Sequence, residues 1–295
     1  MDALIVGAGR VGRTAGLVLA LRGFNVFYMD VVEEVARAAA EDTAHAAACA
    51  GSGARVGWTR EPLDVDVVVV AASAQHGILD TRMRLLEQNA GIIAGVAERV
   101  YPYAPGAWYI IVSNPVDVLA TIFARLTGST RVLSTGTFID SARLRVWLSR
   151  RLGVPLSRVE GLVGGIHGED LVVFWSTVRV DGRPVRLGGE DERMLVHYLV
   201  EEPWEIVKAI GMTSAGAGTM AAVLAETLAS GTPRLVAAAP YHGGVCVGVP
   251  VLLGSWSAVV REDVLEEAER AALEEKRRKV AEAAERALEA LRAGS

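Results

Sequence analysis

Residues 7–12 read GAGRVG, and their setting leaves few architectures open. They follow the apolar run DALIV (2–6) and open an apolar, helix-like stretch to Arg22, which Gly23 ends. FNVFYMD (24–30) then reads as a second strand. Strand, glycine turn, helix, strand is a βαβ unit, which belongs in a parallel sheet. Gly7 permits the tight turn, Gly9 lets a pyrophosphate approach the backbone, and Gly12 lets helix and strand pack closely. The helix N-terminus offers N–H donors and partial positive charge to phosphates. Asp30 closes the second strand, and its carboxylate can accept hydrogen bonds from both hydroxyls of an adenosine ribose. It would repel a 2′-phosphate, and neither Arg nor Lys follows it directly, so the pattern points to NAD rather than NADP.

The alternation continues downstream. Residues 31–50 are Ala-rich and helical, and VDVVVVAAS (65–73) is a continuous β-branched run, expected as a strand buried on both faces. Residues 81–101 read as a helix with apolar Met83, Leu86, Ala90 and Ile93. AWYIIVSN (107–114) is a strand stopped by Pro115, residues 116–127 form a helix, and TRVLSTG holds a short strand. After about residue 140 the pattern changes. DSARLRVWLSRRLG is helical, 159–187 hold strands around glycine turns, and VRVDGRPVRL contains a hairpin-like Asp-Gly. Helices are expected at about 190–211 and 216–230, strands at 234–239 and 245–253, and a charged helix from Glu262 to Leu291. That last helix carries Val264, Leu265, Ala268, Ala272, Val280, Ala284 and Leu288 on a face expected to pack on its own protein. The fold class is α/β: a Rossmann-type parallel-sheet domain over residues 1–140, then an α+β domain over 141–295 that would hold catalytic and substrate residues.

Composition removes several function classes. The net charge of −5 gives no basic surface for nucleic acid, and no apolar run is long enough for a membrane span. The opening MDALIVGAGR reads as a strand entering a fold rather than a signal peptide. Cys49 and Cys246 are expected as two buried free thiols in a cytoplasmic protein. Lys208, Lys276 and Lys279 are the lysines, so the first two thirds of the chain cannot supply a phosphate-binding or catalytic lysine. There is no clustered spacing for a metal site.

Three more motifs follow the βαβ unit: SNPVD (113–117), GTFIDSARLR (136–145) and GGIHGED (164–170). Their order resembles the L-lactate/L-malate dehydrogenase family over nearly the whole chain. The resemblance places the family's Asn-Pro at Asn114, its Asp-x-x-Arg at Asp140 and Arg143, and its catalytic His at His167. Its loop arginine matches TRMRLLEQN at Arg82. Chemistry agrees with these assignments. A ketone reduced by hydride needs a proton, which His167 can supply near neutral pH. A buried Asp140 would hold the ring in one tautomer and favour the imidazolium. Arg143 can grip a carboxylate through parallel hydrogen bonds, Arg82 can polarise a carbonyl, and Asn114 can orient His or substrate. The cofactor contacts are expected from Gly7, Gly9, Arg10, Val11, Gly12, Asp30, Ala72, Ser73 and Asn114. His45, His197 in an amphipathic helix and His242 in a loop before two glycines read as structural.

The sequence departs from the family pattern before Arg82. Ser73 stands where the family has Gly, and Ile78-Leu79 stand for Pro-Gly. Ile166 replaces a Glu beside His167. Counting back from Arg82 puts His76 at the position that chooses substrate, where the family has Arg for oxaloacetate and Gln for pyruvate; a one-residue slip would put Gln75 there. A His facing a second carboxylate leans towards malate, whereas TSAGAG (213–218), with Thr213 near the substrate, and FWST (174–177) look more like lactate enzymes. The expected function is an NAD-dependent L-2-hydroxyacid dehydrogenase, malate ahead of lactate. An enzyme for a bulkier 2-oxo acid and a non-catalytic dinucleotide sensor remain as alternatives. The resemblance also implies a homodimer or homotetramer, with residues 36–50 and 216–230 as candidate contact helices.

Overall fold

The structure, a computed structural model, describes residues 1–74, 82–168 and 170–293, without the side chains of 82–84. The first half alternates strand and helix: β1 (Asp2–Val6), α1 (Arg10–Leu21), β2 (Asn25–Met29), α2 (Glu33–Cys49), β3 (Val56–Trp58), β4 (Val67–Val70), α3 (Arg82–Arg99), β5 (Trp108–Ile111), α4 (Val116–Thr127) and β6 (Val132–Ser134). These strands run parallel in the order β3-β2-β1-β4-β5-β6. The order reverses direction between β1 and β4, and the crevice outside the strands' carboxyl ends at that point is where such sheets bind ligands. Val67 to Val70 and Trp108 to Ile111 are all buried, as continuous apolar runs in a two-sided sheet should be.

The second half contains α5 (Gly136–Leu152), β7 (Val159–Ile166), β8 (Asp170–Val180), β9 (Arg183–Pro184), α6 (Gly189–Ile210), α7 (Ser214–Ala229), β10 (Arg234–His242), β11 (Val245–Cys246), β12 (Val249–Gly254), β13 (Ser257–Val260) and α8 (Glu267–Ala293). β10 pairs antiparallel with β6, and β12 and β13 follow, so late strands continue the sheet begun by the first half. The 140/141 division expected from sequence falls inside α5. β7, β8 and β9 form a separate antiparallel sheet. The Asp181-Gly182 turn joins β8 to β9 with both residues at positive φ, the hairpin geometry that Asp-Gly favours. Gly165 exchanges two backbone hydrogen bonds with Gly248, both at 2.9 Å, and so ties the small sheet to the large one.

Two apolar clusters hold the molecule. The larger surrounds the main sheet. The smaller joins α5, β7, β8 and α6 through Leu144, Trp147, Leu148, Val163, Trp175, Val178, Leu195 and Leu199. α7 lies along α1 so closely that a Cβ on Gly218 would stand 2.5 Å from Thr14 Cβ. Much of the 216–230 helix is therefore spent inside the chain.

Several expectations are corrected. β3 and β13 go beyond the expected strands: both are short edge strands with no buried residue, so their sequences carry no strong apolar period. His242 ends β10 instead of lying in a loop. Cys49 is exposed and only Cys246 is buried, because Cys49 falls on the solvent side of the last turn of α2. The final helix begins at Glu267, after a 3-10 turn over Glu262–Val264. On it Ala268 is exposed, whereas Glu269 and Lys276 are buried. Each of these charges has partners: Glu269 accepts from the Ser176 N–H and hydroxyl, and Lys276 donates to Asp170. Among the described residues no helix is long and apolar enough to cross a membrane.

Candidate active site

The glycine turn after β1 is built for close approach. Gly7 sits at φ +96°, and a Cβ there would come 2.5 Å from the Ala72 nitrogen at the end of β4. Gly9 precedes α1 with nothing within 4 Å of an added Cβ, so the space over it is open. No side chain caps α1, whose first N–H groups remain free for an anion. Asp30 accepts the Ala8 N–H at 2.7 Å through Oδ2 and the Val32 N–H at 3.0 Å through Oδ1. Its carboxylate is thereby fixed beside the turn. Open backbone over Gly9, uncapped donors at Arg10 and Val11, and an anchored acid together fit the phosphates and ribose of a dinucleotide.

The catalytic candidates converge at the same edge of the sheet. α5 starts directly after β6 and carries Asp140 and Arg143 one turn apart. Asp140 is fully buried. Its Oδ1 accepts from Arg143 Nη1 and its Oδ2 lies 2.7 Å from His167 Nδ1, each pair at the same distance. A carboxylate can only accept, so Nδ1 carries the proton and Nε2 is left as the exchanging atom. Nε2 has no hydrogen-bond partner among the described residues. His167 sits in the β7–β8 turn between Gly165 (φ +84°) and Gly168 (φ +95°). Its Cβ packs on the backbone of Gly136, where an added Cβ would stand 2.2 Å away. Burial pulls the imidazolium down, but the charge and hydrogen bond of Asp140, with help from Asp117, outweigh burial and the repulsion of Arg143, so the His167 pKa is raised.

Asn114 is exposed at the end of the β5 segment, where a cis peptide joins it to Pro115. Thr213 precedes the first turn of α7. A Cβ on Gly216 in that turn would meet Ile139, the neighbour of Asp140, at 2.7 Å. Arg10 Nη1 reaches to 3.8 Å from the Gly211 Cβ position, so the cofactor turn and the segment leading to Thr213 adjoin. Ser73 follows Ala72 and donates to Ala74 O and Asn89 Oδ1 at 3.3 Å each. Arg82 begins α3. Its side chain, together with Gln75, His76, Ile78, Leu79 and Glu169, lies outside the described residues. FWST runs along β8 in packing roles: Phe174 is fully buried and Trp175 donates to Glu192.

Two buried polar side chains that the motifs do not single out also brace this edge. Asn89 is fully buried and bridges the two strand ends, accepting the Ala74 N–H at 2.8 Å and donating to Asn114 O at 2.6 Å. Asp117, also buried, accepts the backbone N–H of His167 at 2.8 Å and the Ser134 hydroxyl. Both lie inside quoted motifs, TRMRLLEQN and SNPVD, so a buried-polar reading of those motifs was the available signal. A cavity of about 400 Å³ lined by Trp108, Arg131, Tyr241, His242 and Trp256 opens near the N-terminal end of β5, away from the carboxyl edge that holds these groups.

A proton donor held in one tautomer, an arginine beside it and a dinucleotide cradle next door can reduce or oxidise a small acid at the carbon bearing its oxygen. Comparisons agree with that chemistry. Residues 1–133 match the model of the lactate/malate dehydrogenase NAD-binding domain. A malate dehydrogenase of Sulfurisphaera tokodaii is 32% identical over 275 residues, spanning 90% of this chain and 89% of its own. An L-lactate dehydrogenase of Mycoplasmopsis pulmonis is 30% identical over 294 residues, spanning 92% and 93%. The apo structure of the malate dehydrogenase from Picrophilus torridus superposes with a TM-score of 0.91 at 26% identity, covering 100% of this chain and 99% of that one.

Proposed function

The chain belongs to the lactate/malate dehydrogenase family, and from that footing we propose that it is an NAD-dependent L-2-hydroxyacid dehydrogenase interconverting malate and oxaloacetate. The observation that carries the reading is the chain of contacts from Arg143 through the buried Asp140 to His167, set beside a dinucleotide turn. NAD, when bound, supplies the acceptor or donor for the hydride at the substrate's C2. Gly7, Gly9, Arg10, Val11, Gly12 and Asp30 hold it on one side, Ala72, Ser73 and Asn114 on the other. Residues 1–140 take the cofactor contacts and also supply Asp140, Asn114, Arg82 and His76, while 141–295 supply His167, Arg143 and Thr213.

In oxidation, His167 Nε2 takes the substrate hydroxyl proton while Asp140 stabilises the imidazolium that forms. In reduction the same atom returns the proton. Arg143 grips the C1 carboxylate with its remaining N–H donors. Arg82 polarises the C2 oxygen as charge develops, and Asn114 orients the His or the substrate. His76 meets the second carboxylate, and Thr213 forms part of the pocket wall. Turnover is expected to require His167, and NADH binding is not: His167→Asn should lose most activity and keep its NADH affinity. Wild-type turnover in that variant would refute the assignment.

A second reading is favoured by the Mycoplasmopsis relative, an L-lactate dehydrogenase of nearly the same length match. NADH oxidation with oxaloacetate, pyruvate and longer 2-oxo acids separates the two. Preference for oxaloacetate supports His76 at the second carboxylate; preference for pyruvate overturns it. The same reading takes the protein as a cytoplasmic homodimer or homotetramer. Sedimentation velocity tests the assembly: a single species at the monomer mass overturns it.

A further inference from the structure

His167 is held from two directions. Asp140 of α5 grips the ring, and Asp117 of α4 grips the backbone N–H of the same residue at 2.8 Å. Asp117 is 1% exposed, and its other oxygen takes the Ser134 hydroxyl of β6. A carboxylate is an expensive group to bury for the sake of a strap between α4 and β6 alone, since a neutral side chain could accept the same hydroxyl. Its placement makes sense if the charge is used. Asp140 pairs with both Arg143 and the His167 ring, and Asp117 adds a second carboxylate beside His167, so with both acids ionised the four groups balance only when the ring is protonated.

Resting on the reading of His167 as acid/base, we propose that Asp117 is a positioning residue for the proton transfer: it fixes the β7–β8 turn through the His167 N–H, and its charge, added to that of Asp140, sets how readily the ring accepts a proton. Burial, with the repulsion of Asp140, holds the Asp117 carboxyl above its ordinary range, although the Ser134 hydroxyl, the His167 N–H and the imidazolium pull it towards the ionised form. Burial and the charge of Asp117 raise the pKa of the Cys246 thiol of β11, so it stays neutral. Asp170, three residues beyond His167, is paired with Lys276 and Lys279 of α8. Asp117, Asp140 and Arg143 are thus the charged groups around His167 among the described residues.

The test uses Asp117→Asn, which keeps an acceptor for the His167 N–H and removes the charge. Reduction needs the protonated ring, so kcat/KM for oxaloacetate reduction falls as pH rises through the His167 pKa. The Asn variant should move that fall to lower pH by about one unit, with NADH affinity unchanged. Asp117→Ala removes grip and charge together and should also lower kcat by about 100-fold. If the Ala variant does not fold, the Asn profile alone decides. A fall that stays at the wild-type pH in Asp117→Asn overturns the inference, whatever happens to its thermal stability. His167→Asn is run beside it: an active His167→Asn would refute the acid/base reading itself, a separate failure.

Discussion

Gly136 offers the sharpest test of how tightly the catalytic turn is seated. It is the first residue of α5, and a Cβ there would stand 2.2 Å from His167 Cβ and 2.4 Å from Cγ. Non-bonded carbons rest roughly 3.5–4.0 Å apart, so Gly136→Ala must push His167 back by about 1.5 Å. The imidazole cannot follow freely, because Asp117 holds its backbone and Asp140 its ring. A misplacement of about 1 Å costs about 100-fold in rate, or about 2.7 kcal/mol of barrier. Overpacking costs the fold about 1–3 kcal/mol, offset by up to about 1 kcal/mol because Ala suits a helix better than Gly. The variant should therefore fold, bind NADH normally and turn over oxaloacetate about 100-fold more slowly. Stopped-flow reduction gives the rate and NADH fluorescence the affinity. A folded Gly136→Ala with wild-type kcat would show that His167 is not seated on this backbone, and the positional reasoning would fail with it.

Other outcomes follow from the same geometry. Gly9→Ala meets nothing in the protein and has an extended, permitted backbone, so Tm should hold while NADH binding weakens at least about tenfold; equal affinity would remove Gly9 from the cofactor site. Asp140→Asn should cut kcat at least about 100-fold and move the pH fall of reduction downward, since Asp140 is the main influence raising the His167 pKa; an unmoved profile would contradict that. Because that pKa is raised, His167 contributes stability that is complete below about pH 6.5 and lost as pH rises through the folded value. Urea unfolding of wild type should show that decline, and His167→Asn should lack it. For Asp170, burial opposes ionisation, but Lys276 and Lys279 outweigh it and lower the pKa. Its stabilisation is present above its ordinary pKa of 3.8 and is lost as pH falls through the folded value. Asp170→Asn should be less stable than wild type at pH 7 and equal to it in strong acid; a deficit that persists in acid would assign Asp170 a packing role instead.

The parts legible in the sequence were those with a strong local signature. VVVV and WYII announce central strands because both faces of a parallel sheet are covered. GAGRVG announces its turn because few residues other than glycine tolerate φ near +96° against Ala72. His167, Asp140, Arg143 and Asn114 stood out because their motifs fall in one order, and the fold brings all four to one edge of the sheet. VGW and SAVV gave no comparable period, and Cys49 and Ala268 were misassigned because burial of a single residue depends on what packs over its helix.

From sequence alone came the parallel sheet, the NAD-type turn with Asp30, and His167 as the proposed proton donor with Asp140 and Arg143 beside it. Local spacing decides these, because hydrogen bonding and side-chain alternation repeat over a few residues. The tertiary structure alone decided that β10 would extend the sheet past β6, that Gly136 would floor the His167 ring, and that Asp117 and Asn89 would be buried clamps. Those contacts join residues up to about a hundred positions apart. A residue's cost of burial is set by which partner meets it there, and no window along the chain contains that partner.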